Sequence, residues 1–171
     1  MNNDVKSKIG ITISDLDGSL LESIFLNDGS QDQESAEFQD VLLAVPAFPW
    51  VNKYKIKLFQ QARVVMFVTG RGIHLNPVTT TWIAENLEIK EFQIINVRFT
   101  TYKQYIEEKE TAIDKIIDEY AQKRESPTEH IHIIEDDPKI IKWLIMHARC
   151  IEGIEVHAIL ENGNHSIAFP F

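Results

Sequence analysis

The chain has 171 residues, 44% of them hydrophobic and 25% charged, which suits one soluble globular domain with a single substantial core. Its net charge of −9, from 26 acidic and 17 basic residues, argues against extended nucleic-acid binding, which relies on a positive field. No apolar run approaches the roughly 18 residues of a membrane-spanning helix, Met1–Lys8 is polar, and Cys150 is the only cysteine, so a reducing, cytoplasmic setting is expected with no intramolecular disulfide.

In chain order, Ile9-Gly10-Ile11-Thr12-Ile13 reads as a buried strand and ends in Asp15-Leu16-Asp17-Gly18-Ser19. Two carboxylates one residue apart repel each other, and a bound cation or a shared proton relieves that. Leu20–Phe25 is apolar enough to fold back over this point. Asn27–Asp40 is polar and acidic and reads as a loop, while Pro46 and Pro49 disfavour regular structure over Val41–Trp50. Residues 20–50 are therefore expected to form an irregular flap or lid. Trp50 is read as a packing residue rather than part of a site mouth.

Val51, Tyr54, Leu58 and Ala62 mark one face of a helix over Val51–Ala62. The basic cluster Lys53, Lys55, Lys57 and Arg63 reads as a solvated face. Val64–Val68 is a continuous apolar run, suited to a strand buried on both faces, and it leads into Thr69-Gly70-Arg71. A helix is expected from about Pro77 to Leu87, then a strand over Phe92–Val97. Thr100–Tyr105 reads as a connector and Glu107–Gln122 as the strongest amphipathic helix. His130–Ile134 is a strand ending in Glu135-Asp136-Asp137, and Pro138 opens a helix to His147. Ile154–Leu160 is a last strand, with a further short strand or packing segment within Ile167–Phe171. His130 and His132 share one strand face and could bind zinc as a pair, but no third ligand follows at suitable spacing.

The β, insertion, α, β, α, β, α, β, α, β order implies an α/β fold, a doubly wound parallel sheet with helices on both faces. Three strand ends then carry polar clusters to one edge of the sheet: Asp15/Asp17, Thr69-Gly70-Arg71 and Glu135-Asp136-Asp137. Ligands bind at that edge in open α/β sheets.

These clusters, in this order and each after an apolar strand, resemble the motifs of the haloacid dehalogenase-like (HAD) phosphatase superfamily across nearly the whole chain. The first motif of that family is Asp-x-Asp-Gly-Thr/Ser, matched by Asp15–Ser19. The resemblance implies a Rossmann-like HAD core spanning residues 1–171 as one domain. It implies an Mg²⁺-dependent phosphomonoester hydrolase with an aspartyl-phosphate intermediate. Asp15 would be the nucleophile and Asp17 the general acid and base. Thr69 and Gly70 would hold a phosphoryl oxygen. Mg²⁺ would be held by Asp15, by Asp17 through its backbone carbonyl, and by the Glu135-Asp136 pair with Asp136 as direct ligand. A one-residue shift would promote Asp137 instead. The third-motif lysine would be Lys109, with Lys103 as competitor. Ser19 and Arg71 are possible substrate contacts.

No room exists for the larger caps of that family, so the site is expected to be open. That suits a nucleotide, a nucleic-acid end or another macromolecular phosphate. The Thr69-Gly70-Arg71 run, Thr80-x-Trp82 and the acidic pair before a Trp-bearing helix look most like the phosphatase domain of polynucleotide kinase and related RNA-repair domains. The alternative is a non-catalytic HAD-like phosphate-binding or regulatory module.

Overall fold

A computed structural model describes residues 9–26, 30–123, 129–148 and 151–169. The polar turn around Pro127, the tip of the segment after Leu26, and Cys150 lie outside the described residues. Six strands form one sheet: β1 (Ile9–Ser14), β2 (Val64–Thr69), β3 (Gln93–Asn96), β4 (His130–Glu135), β5 (Ile154–Leu160) and β6 (Asn164–Phe169). Their order is β3-β2-β1-β4-β5-β6. β1 to β5 run parallel, and β6 returns antiparallel along β5. The helices are α1 (Ala36–Ala44), α2 (Pro49–Lys55), α3 (Asn76–Leu87), α4 (Tyr102–Lys123) and α5 (Pro138–Ala148).

Period-two alternation splits the core into two layers. Ile11, Ile13, Ile131, Ile133, Ile154 and Val156 face α4 and α5, packing on Ile113, Ile116, Ile117, Ile140 and Leu144. Val65, Phe67, Ile134 and Ile159 face the other way, against Trp50, Val51, Leu58, Trp82 and Ile83 of α2, α3 and the turn between α2 and β2. Helices therefore cover both faces, the arrangement that suits a parallel sheet. The hydroxyl of Thr12, on the α2 side, donates to the Leu58 carbonyl. That carbonyl lies in a wide π-type turn at Ile56–Gln60, at a helix end where carbonyls lack partners from their own helix.

The chain departs from the sequence expectation at three helix boundaries and one strand. Polar Asn27–Asp40 is not all loop: α1 begins at Ala36, with the Ser35 hydroxyl accepting from Phe38 N–H at 3.1 Å. This helix buries only Leu42, so the polar window masked it. α2 starts at Pro49, where a proline in the first turn is favoured rather than disruptive. α4 starts at Tyr102, five residues before the expected start, because the Tyr105 and Ile106 contacts extend the buried face backward. β6 begins at Asn164 as an antiparallel edge strand whose Asn164, Ser166 and Ile167 are exposed and whose His165 and Ala168 are half-buried, so the apolar pattern does not mark it.

Candidate active site

Strand order reverses at β1, whose neighbours are β2 and β4, and this switch point opens a crevice beyond the strand carboxyl ends. Ser14 is in register with Phe67 and Ile134, so the residues after β1 emerge beside the ends of β2 and β4. Asp15 follows β1 directly, its N–H donating to Ile134 C=O at 3.0 Å. The chain then turns at Gly18, whose φ of +85° is a left-handed value that glycine adopts without strain. A side chain at Gly18 would also collide with the Asp136 carboxylate, so the turn needs glycine for two reasons.

Lys109 holds the centre. It is fully buried, 0% exposed, and its Nζ lies 2.9 Å from Asp15 Oδ1, 2.9 Å from Glu135 Oε2 and 2.9 Å from Tyr105 Oη. Burial by itself would lower the Lys109 pKa, but Asp15 and Glu135 overcome that and hold it well above its usual range. Lys103 is exposed and lies 3.9 Å from Glu107, away from the acids of the site. The structure therefore places Lys109, not Lys103, with the acids. It arrives from the third turn of α4 rather than from a helix start.

Asp17 is held by Arg71 in a two-point pair, Nε to Oδ2 at 2.8 Å and Nη2 to Oδ1 at 2.7 Å. Arg71 is 4% exposed, and its Nη1 donates to Thr79 Oγ1 at 3.0 Å. The guanidinium is thus occupied with Asp17 rather than facing a ligand, and it positions that carboxylate. Burial raises the Asp17 pKa against the pull of Arg71. Thr69 is buried at the end of β2, its Oγ1 accepting from Arg71 N–H at 3.1 Å. Gly70 lets the rings of Tyr105 and Phe99 approach the backbone closely.

The Glu135-Asp136-Asp137 cluster divides into three jobs. Glu135 takes Lys109, and its Oε1 accepts from the N–H groups of Asp136 and Asp137, both at 3.1 Å. Asp136 accepts from Ser19 Oγ at 2.9 Å, and Ser19 Oγ also lies 3.1 Å from Asp15 Oδ2. Ser19 is 0% exposed, and its hydroxyl is engaged with the Asp15 and Asp136 carboxylates. Asp137 caps α5, accepting from Lys139 N–H at 2.9 Å, and also receives the Tyr102 hydroxyl at 2.8 Å. The geometry groups Asp136, not Asp137, with Asp15.

Four carboxylates, Asp15, Asp17, Glu135 and Asp136, face two cations, Lys109 and Arg71, so full ionisation leaves negative charge uncompensated. The surplus shows at Asp136, pushed up to about 9 by burial and by the charges of Asp15 and Glu135. Burial similarly raises Glu135, to about 7, against Lys109. A hard divalent cation fits this surplus. Asp15, Glu135 and Asp136 each offer an oxygen within 4.8 Å of the others, and oxygen-only donors match Mg²⁺. Asp17 turns its side chain to Arg71, which leaves only its backbone carbonyl for an ion.

Tyr105, Asn96 and Thr79 escaped the sequence reading. Tyr105 lies one helical turn before Lys109, with the ammonium 5.3 Å from its ring centroid, a spacing of four that could have flagged it. Asn96 Nδ2 donates to Arg71 C=O at 3.0 Å and has no signal in a single sequence. Two clefts flank the acids. One, of about 410 Å³, is lined by Gly70, Arg71, Ile73, Asn96, Arg98 and Phe99. The other, of about 550 Å³, runs from Gly18 and Glu22 past Asp136 to Leu160 and Asn162. No protein-family model matches the chain, and no curated protein matches it in sequence.

Proposed function

We propose that this protein is an Mg²⁺-dependent phosphomonoester hydrolase of the HAD type, working through an aspartyl-phosphate. The observation that carries the reading is the Lys109 ammonium, buried between Asp15 and Glu135 at the sheet's switch point, with Asp17 held two residues along by Arg71. A buried lysine between two carboxylates is a costly arrangement for structure alone, and it supplies the charge a phosphoryl group needs beside a carboxylate nucleophile.

In this reading an Asp15 carboxylate oxygen attacks phosphorus and the ester oxygen leaves, taking a proton from Asp17. Asp17 then removes a proton from water, which attacks the aspartyl-phosphate, releases inorganic phosphate and restores Asp15. Burial, which raises the Asp17 pKa, favours the protonated form that the first step needs, and Arg71 fixes its direction. Lys109 holds Asp15 and draws charge from the phosphoryl oxygens. Thr69 and Gly70 close the phosphate side. Asp15 and Asp136 would hold Mg²⁺, which neutralises carboxylate and phosphate charge so that the two can approach.

The substrate side is proposed to be open. Among the described residues between Phe25 and Pro49, α1 is the one helix. α1 packs beside α3 through Leu42, Leu75 and Val78, and the Phe25 ring lies 5.6 Å from the Arg71 guanidinium. A nucleotide, a nucleic-acid end or another protruding phosphate suits such a site, with Arg98 and Phe99 at the rim of the nearer cleft.

Hydrolysis of p-nitrophenyl phosphate tests the reading. Activity is expected with Mg²⁺, lost with chelator, and lost in Asp15→Asn. The second reading, a non-catalytic phosphate-binding module, draws on the two-point Arg71–Asp17 pair, in which both carboxylate oxygens accept from the guanidinium. No turnover in the wild type, together with Mg²⁺-dependent binding of phosphate, would establish it instead.

A further inference from the structure

We propose a second metal site, formed by His132, Glu155 and His157 on the α2 face of the sheet, that takes a divalent transition metal of the zinc class. It is independent of the phosphatase reading. Strand pairing builds it: His132 on β4 is in register with Glu155 on β5, and His157 follows two residues later on the same face. The His132 Nδ1 to His157 Nε2 distance is 2.9 Å, and Glu155 Oε1 lies 3.2 Å from the first and 2.8 Å from the second. A circle through three atoms at those separations has a radius of about 1.7 Å, so an ion about 1.1 Å off their plane reaches all three at zinc bond lengths.

Protons satisfy this triangle poorly. Glu155 Oε1 is buried and accepts no well-aligned hydrogen bond from the described residues, although two ring nitrogens crowd it. One ring proton makes an N–H···N bond between the histidines at 2.9 Å and leaves Glu155 Oε1 without a partner, whereas protonating both facing nitrogens sets two N–H groups against each other.

The outer partner is present too. His157 Nδ1 lies 2.7 Å from His165 Nε2 on β6, the contact that fixes the tautomer of a ligating histidine. His165 is a positioning residue, stacked on Trp50 with ring centroids 4.9 Å apart. Its outer side borders a cleft of about 270 Å³ with Pro49, Trp50, Lys53, Tyr54 and Asn164. Two imidazoles with one carboxylate favour zinc, cobalt or iron over magnesium, whereas the Asp15 cluster is oxygen-only.

The test uses the full chain carrying Asp15→Asn and Asp136→Asn, which disables the first cluster, stripped with chelator and titrated with Co²⁺. One Co²⁺ per chain should bind with visible ligand-field absorption, displaced by Zn²⁺ and untouched by millimolar Mg²⁺. Glu155→Gln should weaken binding more than tenfold, and His165→Ala about tenfold or more with the ligands intact. In the unsubstituted protein, imidazole ¹⁵N resonances of His132 and His157 should shift on adding Zn²⁺, with His157 Nδ1 remaining protonated. This readout stands even where a variant does not fold. Unmoved His132 and His157 resonances, or Co²⁺ binding as tight in folded Glu155→Gln as before, would overturn the site.

Discussion

Replacing Lys109 by methionine removes the central charge while keeping nearly the same chain length beside Tyr105. The ammonium lies 2.9 Å from each of two carboxylate oxygens, so at an effective dielectric of about 20 each contact is worth about 6 kcal/mol before desolvation. Most of that offsets the cost of burying the ions, and breaking one partner of such a pair typically costs about 3–5 kcal/mol. Urea unfolding followed by tryptophan fluorescence at pH 8 should show a loss of that order. Glu135 is already raised by burial, and removing Lys109 raises it further. A carboxyl whose folded pKa is raised favours the fold below its unfolded pKa and disfavours it as pH rises, so the deficit should shrink on moving from pH 8 to pH 5. Adding Glu135→Gln to Lys109→Met should recover part of the loss. A cost under about 0.5 kcal/mol, or strictly additive effects of the two substitutions, would refute the idea that Lys109 neutralises a buried acid pair.

Arg71→Lys turns a two-point grip on Asp17 into a single contact and drops Thr79, so under the proposed hydrolase reading kcat for p-nitrophenyl phosphate should fall about 10–100-fold. An unchanged kcat would remove Arg71 from the positioning of Asp17. Gly10→Ala places a methyl group against the Tyr120 hydroxyl, which donates to Glu129 at 2.6 Å, and should cost about 1–3 kcal/mol in chemical unfolding. Combining it with Tyr120→Phe, which removes the colliding atom, should cost less than the sum; a larger cost would contradict that contact. Tyr102, Tyr105 and Tyr120 all have raised phenol pKa values, Tyr102 to about 12, with burial the first cause in each. Their folded forms prefer the neutral phenol, so stability should fall as pH rises above about 10. Absorbance at about 295 nm, the phenolate band, should show Tyr102 ionising only well above pH 10; ordinary titration of Tyr102→Phe-sensitive absorbance would count against its bond to Asp137.

Much of this architecture is legible in one dimension because parallel strands buried on both faces must be continuous apolar runs. Val64–Val68 announces itself that way, while His130–Ile134 and Ile154–Leu160 show period-two alternation of aliphatic with polar residues, and the acids after His130–Ile134 mark that strand's end. Lys109 was legible for a different reason, since the amphipathic run that follows it resembles the helix HAD members carry after their third-motif lysine. What stayed hidden is whatever depends on pairing across distance. α1 buries a single leucine and leaves no periodicity to read. Arg71 reads as a free cation until Asp17 is found beside it. His132 lacked a third ligand along its own strand, because its partners stand on the neighbouring one, twenty-three and twenty-five residues away.

The sequence alone determined the alternation of elements, the edge at which the polar clusters meet and the residue types that meet there, since periodicity and turn chemistry are local properties. Only the tertiary structure decided which lysine is buried, which acid binds which cation, and that two histidines and a glutamate share one triangle. Those outcomes depend on strand register and on the low dielectric between packed layers. Both exist only after the sheet has formed.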